Sequence, residues 1–574
     1  SHLTKDMDQN VKYELQENEA PRAAGFLLRV LAWILSLSDN GGLLMHSLLK
    51  KSNMFVLREK SLTAEPTFMP IMEIPSAMKT SSSEITARTS RFLTDMPTHM
   101  SPSSAGTIHP SVMDYARAYR TKSITPSQVA EHILSLIEKS NKLNPPLNAV
   151  FKVRRDEVLQ AAADSTDRFM RGTPLGILDG VPAVVKDETD VKGFVTGFGS
   201  RLTENDSPAS EDAPAVQRLR EAGCIILGKT SMHEIGLGVT GINASFPTAR
   251  NPYDTKTCTG GSSAGTGSAV GAGLVPIGVG SDGGGSVRIP ASFCGVVGMK
   301  TTHGRVAGKT ELAPSCGIIG SFGWTVRDCA LLYATIAQPD PNSLKPQGAP
   351  VQIESLDTYS PKGLRIGIYD AWFHHADPEV VEACSAAISR LVSNGAVTVK
   401  VQIPFLEELR VAHQITIVSE MLAFVQKYKN WRQKVNLDTL IPLIAMRNFN
   451  GCDYVMAQKL RTIIIQWLQK AFDSEIDVLA VPSTAITAPP LYDAALACGE
   501  SDINTVSKIM RYAFFANMTG NPAISVPVGY SKAGLPIGLQ LIGRWWEESL
   551  LFQVAASVEK EAPRKAPRVT YDPL

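Results

Sequence analysis

The segment from Thr259 to Pro290 constrains the fold of this chain more than any other. It reads TGGSSAGTGSAVGAGLVPIGVGSDGGGSVRIP, so small residues make up most of it. A backbone this rich in glycine loses much conformational entropy on folding, which chains tolerate where backbone must approach backbone or a ligand. A flexible linker is excluded because Val270, Leu274 and Ile277 need burial, whereas linkers are polar. The segment therefore predicts close backbone packing in the interior.

One string in this segment matches a dinucleotide fingerprint. Residues Gly278 to Gly283 fit the pattern G-x-G-x-x-G, which is a weak signal when it stands alone. The fingerprint should open a long helix, but Pro290 follows within a few residues, and proline is poorly tolerated inside helices. A dinucleotide site is therefore disfavoured.

A second string matches the nucleophile elbow of α/β-hydrolases. Residues Gly261 to Gly265 fit G-x-S-x-G, and that fold needs an acid and then a histidine downstream of the serine. No histidine lies beyond the last of the four that follow, which are His303, His374, His375 and His413. The expected base is missing from the C-terminal region, so the elbow is also disfavoured.

Two serine-bearing glycine turns and an upstream lysine favour a third interpretation. The turns are Gly260-Gly261-Ser262-Ser263 and Gly283-Gly284-Gly285-Ser286, and Lys186 ends an apolar run that begins at Val181. In this combination the chain resembles the amidase signature family. The likeness extends from about Asp114 to the C-terminus. Its motifs are highly specific because the lysine, the spacing and both turns must coincide.

The resemblance implies a role for three side chains. Ser286 would attack the amide carbonyl, Ser262 would relay the proton from a position held by a cis peptide, and a neutral Lys186 would be the base. Burial against Val184 and Val185 would disfavour the ammonium form of this lysine. These three residues are the predicted catalytic set.

Two alternatives remain open for these positions. Lys186 could instead form a structural ion pair with Asp187 or Glu188. Asp187 is the weaker partner, since adjacent residues on a strand point to opposite faces. Ser263 could be the relay if the register slipped by one residue, although the spacing to Ser286 favours Ser262.

The triple glycine suits an oxyanion site. Without side chains, the successive backbone N–H groups of Gly283, Gly284 and Gly285 can converge with that of Ser286 on one oxygen. Asp282 and Arg288 flank this turn, and we expect them to hold its shape rather than to take part in chemistry.

No cofactor, metal site or nucleic-acid partner is expected. The net charge is +1, and nucleic-acid binding needs a basic surface. The cysteines form no C-x-x-C pair and have no histidine at ligand spacing, so we expect reduced thiols in an intracellular protein. They are Cys224, Cys258, Cys294, Cys316, Cys329, Cys384, Cys452 and Cys498.

Helices alternate with short apolar strands beyond Asp114. This alternation predicts an α/β fold with a covered, mostly parallel or mixed sheet, and the resemblance implies an α/β/α sandwich around a large mixed β-sheet. We predict a helical N-terminal extension over residues 1–60, an irregular linker or strap over 61–110, and the catalytic domain over 111–574. The N-terminal Ser1-His2 resembles an expression remnant, and Met7 is a candidate native start.

The N-terminal extension holds two short apolar stretches with basic flanks. The first runs from Phe26 to Leu35 and the second from Leu43 to Leu49, separated by Asp39-Asn40-Gly41-Gly42. Each is too short to span a bilayer. They predict two helices that lie on a membrane interface, pack on a partner subunit, or dock as a hairpin on the same chain.

Within the family, the chain is similar to the fatty acid amide hydrolases of plants, and the N-terminal extension shares this likeness. It implies hydrolysis of N-acylethanolamines to free fatty acid and ethanolamine, a homodimer, and a peripheral position on an endomembrane or the plasma membrane, with no secretory signal. A peptide or small-amide hydrolase with the same three residues, and a non-catalytic lipid-binding protein, are the alternatives. The matching stretches include Val11–Tyr13, Pro66–Phe68, Asp114–Arg120, Met232–Gly236, Thr248–Pro252, Asp282–Pro290, Asn521–Tyr530 and Gly534–Gln540.

Overall fold

The computed structural model describes Tyr13, Leu15 and residues 22–73, 108–308, 310–337 and 356–574. The expectations for Ser1, His2 and Met7, and those for most of the proposed linker, lie outside the described residues. The stretches of that linker that are described, residues 61–73 and 108–110, contain no helix or strand. The division into three parts stays a prediction.

In the described parts of the chain, eleven strands form one mixed sheet and two more form a small ribbon. The sheet order is β2-β4-β3-β5-β7-β6-β12-β13-β10-β8-β9, and the ribbon pairs β1 with β11. The strands are β1 (Ala23–Ala24), β2 (Val150–Val153), β3 (Pro182–Lys186), β4 (Ile225–Thr230), β5 (Ile277–Asp282), β6 (Val297–Lys300), β7 (Ile318–Gly323), β8 (Arg365–Ile368), β9 (Val397–Lys400), β10 (Val478–Pro482), β11 (Glu500–Ser501), β12 (Ala523–Tyr530) and β13 (Pro536–Gly543).

Helices surround this sheet. Nineteen α-helices lie in the described residues: α1 (Gly25–Ser36), α2 (Gly42–Lys51), α3 (Val112–Arg120), α4 (Pro126–Asn141), α5 (Arg155–Arg171), α6 (Pro214–Glu221), α7 (Ala264–Gly271), α8 (Arg288–Phe293), α9 (Val326–Ile336), α10 (Asp370–Phe373), α11 (Pro378–Ser393), α12 (Leu406–Val425), α13 (Trp431–Lys434), α14 (Leu437–Met446), α15 (Gly451–Ser474), α16 (Asp493–Cys498), α17 (Ile503–Met510), α18 (Phe514–Thr519) and α19 (Glu548–Glu561). The α/β fold with a large mixed sheet is confirmed.

The centre of the sheet positions the site. Strand β3 runs parallel to both β4 and β5, and every residue of these three strands is buried. Both faces of the sheet are therefore covered, as parallel strands require. Lys186 ends β3 and Asp282 ends β5. Because the two strands are neighbours and parallel, these residues leave the sheet at the same edge.

Helix α4 illustrates how local sequence sets an element boundary. The Thr125 side chain accepts a hydrogen bond from the Gln128 backbone N–H, and the Gln128 side chain bonds the Thr125 N–H in return. Pro126 stands at the first helical position, where its missing N–H removes no hydrogen bond. These residues form a capping box, which fixes the start of the helix.

Helices α1 and α2 form the predicted N-terminal pair. Their inner residues, including Leu28, Leu35 and Met45, are buried, and α1 packs on α14 and α16. Strand β1 pairs antiparallel with β11 just before α1 begins, and Arg22 forms an ion pair with Glu500. The pair is therefore docked on the body of its own chain, although its outer side remains apolar and exposed.

Candidate active site

The glycine–serine segment is interior throughout. Every residue from Thr259 to Pro290 is buried except Gly283, which is half-buried. The string from Gly278 to Gly283 forms strand β5 and does not open a helix, so the dinucleotide interpretation is wrong. The Gly261–Gly265 string enters α7 without a strand of the sheet before it, which a nucleophile elbow requires. The segment is instead a packed core that carries two serine turns.

Lys186 contacts the first serine turn and strand β5. Its Nζ donates to Ser262 Oγ at 2.7 Å and to Ser281 Oγ at 2.6 Å, and its side chain has no exposed surface. Glu188 completes the surroundings, with its Oε2 at 3.0 Å from the lysine Nζ. The lysine and the relay serine predicted from the sequence are thus in direct contact.

The two carboxylates beside Lys186 have separate partners. Asp187 is fully buried and forms ion pairs with Lys152 at 3.0 Å and with Lys229 at 3.7 Å. Glu188 contacts Lys186 and accepts a hydrogen bond of 2.6 Å from Ser281. Of the two ion pairs considered for Lys186, the structure contains the one with Glu188. The lysine therefore has both a carboxylate partner and a serine partner.

The first serine turn presents Ser262 to the lysine. The Gly261–Ser262 peptide is cis, which agrees with the conformation that the resemblance implies. Ser263 points elsewhere, with its hydroxyl donating to the Ser281 backbone carbonyl at 3.2 Å. The contact with Lys186 therefore belongs to Ser262, and Ser263 is a structural neighbour.

The second serine turn places Ser286 on the wall of a cavity that Ser262 also lines. The turns touch directly, because the Ser263 N–H donates to the Ser286 carbonyl at 3.2 Å. Among the described residues, the Ser286 hydroxyl has no hydrogen-bond partner, and its residue keeps 7% exposure. An attacking hydroxyl needs this access.

The glycine turn offers three free backbone donors. The N–H groups of Gly283, Gly284 and Ser286 bond to no other described part of the chain, and all three residues line the cavity. Gly285 does not fit the predicted oxyanion role, because its N–H donates to Asp282 Oδ1 at 2.7 Å. A glycine is needed at this position because its φ is +106°, a conformation that disfavours residues with a side chain.

Asp282 and Arg288 hold this turn. Arg288 donates to both carboxylate oxygens of Asp282, at 2.9 and 3.1 Å, and also bonds Asn517 and Gln540. The Asp282 carboxylate additionally accepts the N–H of Val287 at 3.0 Å. Burial alone would raise the pKa of Asp282, but the guanidinium and the backbone donors outweigh it and hold that pKa far below its usual range.

Sequence reasoning missed two residues at the site. Ser281 contacts Lys186, but no sequence pattern assigns it a role. The pairing of β3 with β5 brings the two residues together. His413 comes from α12, where its Nε2 lies 2.9 Å from the Gly283 carbonyl. Burial lowers the pKa of His413 to about 4, so a neutral ring donates this bond. No local signal marks a residue so distant in sequence.

The cavity that begins at these turns has a volume of about 600 Å³. Its polar end holds Glu188, Ser262, Ser281 and Ser286, and its remaining wall is mostly apolar. Side chains of α1, α2, α12 and α14 contribute, including Leu31, Leu35, Met45, Leu48, Ile417 and Ile441. The cavity therefore joins a polar end, which holds the two predicted catalytic serines, to an apolar chamber that α1 and α2 help to line.

Comparisons with known proteins place the chain in a family. A family model described as Amidase matches residues 131–552. A fatty acid amide hydrolase of Medicago truncatula is 39% identical over 99% of this chain and 98% of its own length. One of Arabidopsis thaliana is 36% identical over 98% and 97%. The solved structure of a bacterial aryl acylamidase belonging to the amidase signature enzymes is 26% identical, with a TM-score of 0.71 over 79% of this chain and 96% of that one. The chain therefore belongs to the amidase signature family of amide hydrolases.

Proposed function

We propose that this protein hydrolyses long-chain acyl amides, N-acylethanolamines among them, to a free fatty acid and an amine. The observation that carries the proposal is the cavity, in which a polar end that holds Glu188, Ser262, Ser281 and Ser286 opens into an apolar chamber. The names of the relatives, which are fatty acid amide hydrolases, support the same substrate class.

In the proposed first step, Ser286 Oγ attacks the amide carbonyl and its proton passes to Ser262. Ser262 gives its own proton to Lys186 Nζ across the 2.7 Å contact. This requires the lysine to begin the step neutral, with the proton of that hydrogen bond on the serine. A bond forms between Ser286 and the carbonyl carbon, and the carbonyl oxygen becomes an anion.

The anion would lie against the N–H groups of Gly283, Gly284 and Ser286. Donors fixed by the fold need no reorganisation as charge develops, and each contributes about 10²–10³ in rate. Collapse of this intermediate breaks the carbon–nitrogen bond, while the proton held by Lys186 returns through Ser262 to the leaving nitrogen. Water then attacks the acyl-enzyme with Ser262 and Lys186 in the same roles, which releases the fatty acid and restores Ser286.

The apolar chamber would hold the acyl chain. Burying each methylene gains about 0.8 kcal/mol, and the chamber volume of about 600 Å³ lies within the range of ligand sites. Long chains are therefore favoured over short ones. A peptide or small amide would leave most of these apolar walls without contact, which is why that alternative is weaker.

We further propose that substrate enters from the surface of an intracellular membrane through the N-terminal helices. Phe26, Trp33 and Leu43 of α1 and α2 are 78%, 65% and 89% exposed, while the opposite side of the pair lines the cavity. Such a surface suits the boundary of a bilayer. It would also suit a second copy in a homodimer, so the oligomeric state in the presence and absence of vesicles separates the two.

Among the described helices, none is both long and apolar enough to cross a membrane. Contact with lipid through α1 and α2 would therefore be interfacial.

A series of acyl ethanolamides that differ only in chain length tests the proposed substrate. The value of kcat/KM is expected to rise about fourfold per added methylene until the chamber is filled, with released ethanolamine as the readout. Ser286→Ala is the matched control and should release none. Faster hydrolysis of short amides would favour the small-amide alternative. Failure of a fluorophosphonate to label Ser286 would favour a non-catalytic lipid-binding protein.

A further inference from the structure

We propose that Glu188 is a positioning residue for the reaction, whose carboxylate stabilises Lys186 when that lysine receives the proton from the serines. The inference rests on the proposed Ser286–Ser262–Lys186 mechanism and deepens it. It adds a fourth polar side chain, from the turn that follows β3, to the three that the sequence suggested.

The geometry points to Glu188 through two contacts that share one oxygen. Glu188 Oε2 lies 3.0 Å from Lys186 Nζ and accepts a hydrogen bond of 2.6 Å from Ser281. Ser281 in turn accepts from Lys186 at 2.6 Å. Lysine, hydroxyl and carboxylate thus form a closed triangle, and the Lys186 Nζ points from this triangle towards Ser262.

The adjacent carboxylate shows what a purely structural ion pair looks like in this molecule. Asp187 has no exposed side-chain surface and is bound by Lys152 and Lys229. It does not line the cavity, whereas Glu188 lines it together with both serines and keeps 10% side-chain exposure. The fold therefore directs one carboxylate into the protein and the other into the reaction centre.

The reaction creates a need for this charge. Moving a proton from Ser286 to Lys186 leaves a positive charge on a side chain with no exposed surface, and an isolated buried cation is unfavourable. A carboxylate within about 4–6 Å favours the charged form. Glu188 would therefore make Lys186 a stronger proton acceptor, which speeds removal of the serine proton.

The same charge has an opposite effect on the resting enzyme. By stabilising the ammonium form, Glu188 opposes the neutral lysine from which the proposed step begins. The other titratable groups at the site have different surroundings: burial lowers the pKa of His233 to about 4, so that ring is neutral, and Asp282 is bound by Arg288. Asp438 lines the same cavity 3.7 Å from His233, and burial raises its pKa to about 7. A move of the acid limb in Glu188→Gln that Asp438→Asn does not reproduce therefore reports on Glu188.

The test is Glu188→Gln in the full-length chain, which keeps the shape and removes the charge. Two readouts are followed against pH: kcat/KM for a long-chain acyl ethanolamide, and the rate at which a fluorophosphonate labels Ser286. The acid limb of both profiles is expected to move to lower pH, because the carboxylate no longer favours the charged lysine, and the plateau to fall about tenfold or more. The matched control, Asp187→Asn, should keep the limb of the unmodified protein.

An acid limb that stays in place in Glu188→Gln would overturn the inference and leave Glu188 with a structural role only. Should that variant fail to fold, Glu188→Asp draws the charge back from Lys186 and is expected to move the limb in the same direction by less; an unchanged limb there also overturns it. Labelling of Ser286 does not depend on the substrate. A protein that labels normally but leaves long-chain acyl amides intact would contradict the proposed substrate while the labelling profile still tests Glu188.

Discussion

The glycine–serine segment Thr259–Pro290 and the helix pair α1–α2 are built on opposite rules. The segment consists mostly of small residues and is buried almost throughout. The helix pair carries some of the largest apolar side chains of the chain on its outer side, where Phe26 and Leu43 are 78% and 89% exposed. Internal packing thus explains the first region completely and the second only on its inner side.

Under the proposed function, the segment serves the reaction and the helix pair serves the entry of substrate. In the segment, each position is fixed by neighbours within the chain, such as the Arg288 that bonds Asp282, Asn517 and Gln540. In the helix pair, apolar surface faces solvent without a partner in the described residues. Changes in the segment should therefore damage chemistry or folding, whereas changes on the outer side of the pair should leave both intact.

The largest effect is expected from Lys186→Met. Removal of the proton acceptor should lower kcat/KM by about 10²–10⁴, while a methionine fills much of the same buried space. Thermal unfolding and acyl ethanolamide hydrolysis are measured together. Lys152→Met is the control, because this lysine binds Asp187 and not a serine; it should lose stability and still label at Ser286. A Lys186→Met protein of nearly normal rate would contradict the proposed mechanism.

Arg288→Met is expected to affect folding most. It leaves the Asp282 carboxylate buried without its guanidinium, and breaking a buried pair in this way typically costs about 3–5 kcal/mol. The free energy of unfolding in denaturant is the measurement. Arg327→Met is the control, since its partner Asp357 is 73% exposed and such pairs contribute about 0–1 kcal/mol. Equal losses of unfolding free energy in the two variants would show that the Asp282–Arg288 pair stabilises the fold no more than an exposed ion pair does.

The sequence predicted the site better than its surroundings. The roles of Lys186 and Ser262 were predicted from the resemblance to the amidase signature family, and the two side chains do meet. The contact of Glu188 with Ser281 needs strand register, which no local pattern encodes. In the sequence, nothing distinguishes the N–H of Gly285 from those of Gly283 and Gly284. The structure shows that the Gly285 N–H donates to the Asp282 carboxylate.

Gly285→Ala tests how closely the segment is packed. A Cβ there would lie 2.6 Å from Ala513 Cβ and 2.7 Å from Ile289 Cδ1, at a φ of +106° that disfavours alanine. Displacement of the turn should lower kcat by about 10²–10³ if it removes one oxyanion donor. Gly451→Ala is the control, because nothing lies within 4 Å of a Cβ at that helix start. Normal activity in Gly285→Ala would show that the turn tolerates movement.

The smallest effect on the folded chain is expected from changes on the outer side of the helix pair. The substitutions Phe26→Ser, Trp33→Ser and Leu43→Ser should each change the free energy of unfolding by no more than about 0.5 kcal/mol, as surface substitutions do. Binding to lipid vesicles should weaken with each one, because every large apolar side chain that inserts gains about 1.5–3 kcal/mol. Hydrolysis of a short, water-dispersed acyl ethanolamide should not change, while turnover of a vesicle-embedded long-chain one should fall.

Leu28→Ala supplies the matched contrast, because Leu28 lies on the inner side of the same helix and is fully buried. It should lower the free energy of unfolding by about 2–5 kcal/mol through the cavity it creates. If the outer substitutions destabilise the protein as much as Leu28→Ala, that side packs on something within the chain or on a second copy. If they leave vesicle binding unchanged, the membrane proposal fails. The contrast with the glycine–serine segment holds only if the outer side affects lipid contact and the inner side affects stability.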